Sequence, residues 1–500
     1  MSGPATILAI DQGTTSTRAI LFDEGLRVVA RAQRDLRQIY PAHGWVEHDP
    51  EAIWADTVAV CRAVLAEAPG RVAGIAITNQ RETTVVWDRR TGVPVHNAIV
   101  WQDRRTADRC RALQAGGVEE EVSRRSGLIL DPYFSATKIA WILDQADARR
   151  AAERGDLAAG TVDSFLLWRL TGGRVHATDS TNAARTALFN IHEGAWDPEL
   201  LRIFGVPAAL LPEVRDNAAD FGTGDDGVLG RALPIVAMAG DQQAALVGHG
   251  CFAPGDIKCT YGTGAFMIAN TGEAPVRSRN RLLTTVGYRI AGRTTYALEG
   301  SLFNTGALMQ WLRDGLGLLR DTADSAAVAD SVEDNGGVVV VPALTGLGAP
   351  HWDPEARGLI CGLSRASSAA HVVRAALESV AFQTFDLIDA MRRDGVAERG
   401  GISAGGGLKV DGGMTANAWL LQCLADVVGA PVARAGVAET TALGVAGLGW
   451  LQAGAIGSLS DIAALCRPDR TWRPAITGER RDAMLSAWHT ALRRAASAVP

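Results

Sequence analysis

The sequence has no excess of one charge, no paired cysteine spacing and no long apolar run, and each shortage removes a class of protein. Its 49 basic and 55 acidic side chains leave a net charge of −6. There is no run of Lys and Arg, so no electrostatic footprint for nucleic acid. Seven cysteines (61, 110, 251, 259, 361, 423 and 466) are dispersed without a C-x-x-C pair. An odd, scattered count suits free thiols in a reducing compartment rather than a disulfide or zinc framework. The longest apolar run, VVVVPAL from Val338, is far below the ~20 residues of a membrane span. The opening MSGPATILAID has no basic segment and too short an apolar stretch for a secretory signal. Together these point to a cytoplasmic protein that inserts into no membrane. There is no G-x-x-x-x-G-K-[ST], no H-E-x-x-H and no H-R-D paired with D-F-G. Any ATP chemistry here does without a Walker loop.

What is present is an ordinary globular balance, 47% hydrophobic and 21% charged, over 500 residues. That length exceeds one core and implies two domains of roughly 200 to 250 residues. Strands alternate with helical patterns, which predicts an α/β fold. Strands are expected at Ile7–Ile10, Ala19–Phe22, Gly74–Thr78, Thr84–Trp87, Ile235–Ala239, Phe266–Asn270, Val338–Pro342 and Leu408–Asp411. Helices are expected at Pro50–Ala66 and His371–Met391, the second with one apolar face.

The stretch ILAIDQGTTSTRAILFD (7–23) sets Asp11, Gly13 and four hydroxyl residues on a turn between two apolar strands. CTYGTGAFMIAN (259–270) repeats the plan about 250 residues later, a hint of duplication. Glycine turns let backbone N–H groups form an anion-binding concavity, to which Thr14, Thr15 and Ser16 add hydroxyl donors. Arg18 adds charge to a phosphate oxygen. Asp11, at a strand's carboxyl end, suits Mg²⁺, which prefers oxygen ligands. An ordinary polar hairpin is about as good a reading of this segment alone. A third glycine turn, LKVDGGMTANAWL (408–420), reads as a strand running into a helix. Two other glycine patterns are set aside. GTGDDG (222–227) lacks a preceding strand and a following helix, and GISAG (401–405) lacks apolar flanks.

Polar clusters at strand ends are more telling, since such positions line ligand crevices in α/β proteins. Asn79, Gln80, Arg81 and Glu82 follow one apolar run; Trp101, Gln102 and Asp103 follow another. DPYFSATK carries Tyr133, and Asp241, Gln242 and Gln243 follow Ile235–Ala239. For any one of them a satisfied cap or surface residue is the commoner case; together they imply a small polar substrate beside phosphates.

Read in order, DQGTTSTR, GWVEHDP, ITNQRETT, NAIVWQ, DPYFSATK, GTVDSFLLW, AGDQQAAL, YGTG, ALEGSLF, TGLGAPHWDPEARG and VDGGMTAN resemble the glycerol kinases of the FGGY carbohydrate kinase family, in the actin–Hsp70–sugar kinase superfamily. The resemblance implies two ribonuclease H-like (actin-like ATPase) domains with a cleft between them. These would be 1–247, with the glycerol site and first phosphate hairpin, and 248–452, on the nucleotide side, with a helical segment 453–500 packed on both. It implies ATP and Mg²⁺, glycerol as the small-molecule partner, and a homo-oligomer, dimer or tetramer. Arg81, Glu82, Tyr133, Asp241 and Gln242 match positions that bond the glycerol hydroxyls, and Trp101 and Phe266 those against its carbons. Thr14, Thr15, Ser16 and Arg18 match phosphate-side positions. Thr263, Gly306, Gln310, Gly413 and Asn417 match other nucleotide contacts. Asp11 and Asp241 match the carboxylates near Mg²⁺, with Asp241 also the general base. A related polyol or sugar kinase is the alternative enzyme. An actin- or Hsp70-like nucleotide switch shares the hairpins but needs no polyol pocket.

The sequence also departs from the family. The run 395–413 is unusually glycine-rich. FGTGDDGVLGRALP (221–234) lacks both a basic glycine loop for a sugar bisphosphate and a phosphorylatable histidine, so neither regulation is expected. His351 replaces a usual Tyr, with no consequence assigned.

Overall fold

The computed structural model describes residues 3–68, 70–145, 148–396 and 406–497. Two large sheets organise the molecule. The first is built from β1 (Gly3–Gln12), β2 (Ser16–Asp23), β3 (Val28–Asp35), β4 (Gly70–Asn79) and β5 (Ile235–Gly240), in the order β5-β4-β1-β2-β3. β1, β2 and β3 run antiparallel as a meander, while β4 and β5 lie parallel to β1 on its other side. The second sheet uses β6 (Ile257–Tyr261), β7 (Ala265–Gly272), β8 (Leu283–Ile290), β9 (Arg293–Leu302), β10 (Leu408–Asp411), β11 (Val432–Ala435) and β12 (Pro468–Trp472). Its order is β8-β9-β7-β6-β10-β11-β12. Here too a strand, β6, pairs antiparallel with the next and parallel with a later one, β10. The two Gly-Thr turns therefore occupy equivalent places in two similar sheets, as the repeated sequence plan implies.

Register aligns the chemistry. Asp11 pairs with Thr78 and Asn79 with Gly240, so the carboxyl ends of β1, β4 and β5 lie side by side. Thr260 pairs with Asp411 at the carboxyl ends of β6 and β10.

Helices cover the sheets. α1 (Pro50–Ala66) starts where Asp49 accepts the Glu51 N–H, with Pro50 in the first turn, and buries Ile53, Val60 and Val64 on the first sheet. α2 (Asp241–Gly248) springs directly from β5. α3 (Gly306–Asp314) follows β9. α4 (Ala369–Arg393) and α5 (Ala418–Val428) pack on the second sheet with α7 (Gly478–Ala495). α6 (Thr440–Gln452) is apolar nearly all round and buried nearly all round. Its Val445 and Leu448 share one core with Ile7 and Ala9 of the first sheet, Leu246 of α2 and Ile268 of the second. Glycine makes this contact possible. A Cβ on Gly444 would sit 1.8 Å from the Ala244 carbonyl oxygen, and one on Gly248 2.1 Å from that of Thr440.

All the expected strands and both helices occur, with ends moved by a few residues. β3, β8, β9, β11 and β12 were not expected. Residues 222–227 form no strand-to-helix turn; only the four-residue helix Asp226–Leu229 lies there. GISAG (401–405) lies outside the described residues.

Candidate active site

The β1–β2 turn is closed by the Gly13 N–H donating to Ser16 O at 2.9 Å. Thr14 is fixed from outside the turn, its hydroxyl accepting from the Trp101 indole N–H at 2.9 Å. Thr15 O accepts the Leu36 N–H at 2.8 Å, which ties the turn to the end of β3. Arg18 stands opposite Asp11 in the hairpin register, its Nη1 3.4 Å from Asp11 Oδ2. Burial pushes the Asp11 carboxyl up to about 6; Arg18 opposes the shift and the Asp241 charge reinforces it. Asp11 and Asp241 thus stand at the carboxyl ends of β1 and β5, with β4 between them, near enough for the Asp241 charge to act on Asp11.

The β6–β7 turn is latched to the start of α3. Thr305 and Ala307 N–H groups donate to Thr263 O at 3.1 and 3.0 Å, and the Gly306 N–H to Gly262 O at 3.0 Å. A Cβ on Gly306 would lie 2.5 Å from that Gly262 oxygen, so only glycine allows the approach. Gln310 is exposed one turn further along α3. Gly412 has φ of 92°, and Gly413 after it has open space around it. Asn417 already has structural work: its Oδ1 caps α5 through the Leu420 N–H at 2.9 Å, and its Nδ2 reaches Ser325 Oγ at 3.2 Å.

Arg81 lies just past β4, 3% exposed. Its guanidinium grips Glu299 with two bonds, 2.5 and 3.0 Å, and reaches Gln243 Oε1 at 3.2 Å and Tyr133 Oη at 3.4 Å. Its Nε is 3.1 Å from Asp241 Oδ1 but is not aligned with it as a hydrogen bond. Glu82 takes φ of 61°, rare and strained for a residue with a Cβ. Its carboxylate accepts from Arg185 Nε at 2.6 Å. Gly240 is glycine because a Cβ would meet the Arg81 stem at 2.7 Å. Trp101 stands edge-on to both Tyr133 and Phe266, with ring centres 5.7 Å apart in each pair. Of these polar groups, Asp241 is the open one: its side chain is 31% exposed against 2% for Arg81 and 1% for Glu299.

The sequence reading missed Glu299 and Arg185. Arg185 is fully buried and bonds both Glu82 and Glu299, the latter at 2.9 Å. Burial works against the charge of Glu299, but Arg185 and Arg81 hold its carboxyl down at about 2. His351 faces Asp386, 3.9 Å away, which also accepts from Trp488 and His489 of α7 at 2.8 Å each. A cavity of about 280 Å³ lined by Lys409, Arg434, Thr440 and Arg473 involves none of the predicted site residues.

Models of the FGGY family of carbohydrate kinases match the chain twice, the N-terminal domain over residues 6–248 and the C-terminal domain over 257–453. The chain belongs to the FGGY family of carbohydrate kinases. It is 60% identical over 498 residues to a glycerol kinase of Rhodospirillum centenum, covering 99% of each chain. Glycerol kinase 1 of Pseudomonas aeruginosa is 55% identical over 495 residues, covering 98% of this chain and 99% of that one. Among solved structures, Plasmodium falciparum glycerol kinase with ADP superposes with a TM-score of 0.92 at 34% identity, covering 98% of both chains. The FGGY fold, two actin-like domains, accounts for the two related sheets and places the Asp11 and Thr263 turns on different domains.

Proposed function

We propose that this chain transfers the γ-phosphoryl group of ATP to a primary hydroxyl of glycerol, giving sn-glycerol 3-phosphate and ADP. Full-length relatives named glycerol kinase support the acceptor. The observation that carries the chemistry is the arrangement around Arg81. A buried Arg81–Glu299–Arg185–Glu82 network adjoins three aromatic rings, and one accessible carboxylate, Asp241, stands at its edge.

In this reading Trp101 and Phe266 pack against the carbon backbone, and Arg81, Glu82, Tyr133 and Gln242 bond the hydroxyls. A hydrogen-bonding site of this kind rejects acceptors lacking a hydroxyl, because its own buried groups are then left unpaired. Asp241 accepts the hydroxyl proton as the new O–P bond forms and the β–γ bridging P–O bond breaks. Thr14, Thr15, Ser16 and Arg18 hold phosphates from one domain; Thr263, Gly306, Gln310, Gly413 and Asn417 meet the nucleotide from the other. Asn417 does so with its backbone or by releasing its cap on α5.

Asp11 and Asp241 fit Mg²⁺: both offer only oxygen, and the Asp241 charge raises the cost of charge on Asp11. Among the described residues no group of three or more metal-binding side chains occurs. Two carboxylates with phosphate oxygens and water are a usual set for this ion. When bound, the ion neutralises charge on the phosphates.

The domain boundaries 1–247, 248–452 and 453–500 belong to the same proposal. So do a dimeric or tetrameric assembly, which rests on family resemblance, and a cytoplasmic setting, in keeping with seven unpaired cysteines. No helix among the described residues is long and apolar enough to cross a membrane. The direct test is phosphorus NMR of a mixture of enzyme, Mg-ATP and glycerol. A growing glycerol 3-phosphate resonance supports the reading, and ADP with free phosphate alone contradicts it.

A further inference from the structure

Of the 49 basic residues only three are lysine: 138, 258 and 409. Lys258 sits on β6 with no solvent exposure, against Gln242 of the proposed acceptor site. A buried ammonium is costly unless it is paired and hydrogen-bonded. Its Nζ donates to Gln242 Oε1 and, at 3.1 Å, to Thr260 Oγ1. It also lies in the field of Asp411 and Asp241. Asp411 in turn faces His249 at 3.2 Å. The charges are therefore matched, and the pattern runs from the core of the second sheet to the residue beside Asp241.

We propose that Lys258 is a positioning residue for phosphoryl transfer: it takes the side-chain carbonyl of Gln242, so that the amide presents only N–H donors to the acceptor hydroxyl beside Asp241. An ammonium has three donors and no acceptor, so the Gln242 atom against it is the oxygen. The amide nitrogen is thereby turned the other way, and it has no partner among the described residues. A hydroxyl about to give its proton to Asp241 has only lone pairs left to offer, and an N–H donor is what those lone pairs need. A glutamine free to flip would offer its oxygen half the time and repel them. Arginine would not do this work, since its broad planar fork cannot act as a point donor in a filled sheet interior. The inference rests on the proposed placement of Gln242 at the acceptor site.

The experiment is a double-mutant cycle in the full chain: Lys258→Met, Gln242→Leu and the pair, with KM and kcat for glycerol and for ATP. Lys258→Met is expected to lower kcat/KM for glycerol about tenfold to hundredfold, the loss of one buried hydrogen bond, with KM for ATP within about twofold. The double variant should be no worse than the poorer single variant, because both remove one interaction. Losses that multiply, or a Lys258→Met enzyme with full activity on glycerol, would overturn the proposal. Gln242→Leu with unchanged glycerol kinetics would remove Gln242 from the acceptor site, and the proposal with it. Gln242→Leu impaired beside an unimpaired Lys258→Met would defeat only the role of Lys258. Should Lys258→Met not fold, Gln242→Glu keeps the ammonium paired and loses only the N–H donors. It is expected to lose glycerol activity to the same degree, and normal activity in it would contradict the proposal.

Discussion

Asp241 is the first residue of α2, held by its own helix through the Gln242 N–H at 2.7 Å and left open to the cleft. Asp241→Asn keeps the shape and removes the proposed base. It should cut the glycerol-dependent kcat by roughly 10² to 10⁴, as steady-state ADP release would report. Glu299 acts on fold and site together. Glu299→Ala leaves two buried guanidiniums facing each other and should cost about 3 kcal/mol, seen as a lower Tm, and raise KM for glycerol. His48 gives a pH signature. Burial lowers its ring from 6.5 to about 4, and its Nδ1 is 3.2 Å from Gln80 Nε2. As pH falls through 6.5 the unfolded chain takes up this proton while the folded protein refuses it until about 4. Stability from this group is thus lost across that window. The Tm difference between pH 7 and pH 5 should shrink in His48→Gln; an unchanged difference would contradict this account. The candidate site was legible in the sequence wherever hydrogen-bonding residues break an apolar run at a strand end, as Arg81, Glu82 and Asp241 do. Glu299 and Arg185 were not legible. Glu299 sits within a buried strand, Arg185 stands among alanines, and they meet 114 residues apart only because the fold brings them together.

At the scale of elements, the hairpins were readable because both sheet faces of β1 and β2 are buried, leaving near-continuous apolar runs. β3 was not, because it is an edge strand with most of VVARAQRD exposed, and its brief alternation, Ala30-Arg31-Ala32-Gln33, rests on small residues. α6 was hidden for a different reason. Its small residues look like a poor helix until α2 is placed against it. Gly444→Ala should force these helices apart and cost about 1 to 3 kcal/mol. Since α2 begins with Asp241, kcat should fall with Tm, and a variant with lowered Tm but unchanged kcat would show that this packing does not set the base.

At the scale of the molecule, two similar sheets each bring one glycine turn to a shared cleft. Two domains were expected from length alone, but their likeness came from one short echo, AIDQGTTSTRAILF against CTYGTGAFMIAN. In the proposed mechanism the turns act from different domains, so the full site requires both, with water excluded when they meet around substrate. ATP hydrolysis without glycerol should therefore be a small fraction of the glycerol-stimulated rate; equal rates would contradict the shared-cleft account. The most direct test of the whole reading is ADP release from Mg-ATP with glycerol, then with xylulose, ribulose, erythritol or dihydroxyacetone in its place. The account predicts strong stimulation by glycerol, well above that by any of the others. Stimulation by a pentulose equal to or above that by glycerol would contradict the assignment of the acceptor site built on Arg81, Glu82, Trp101 and Phe266.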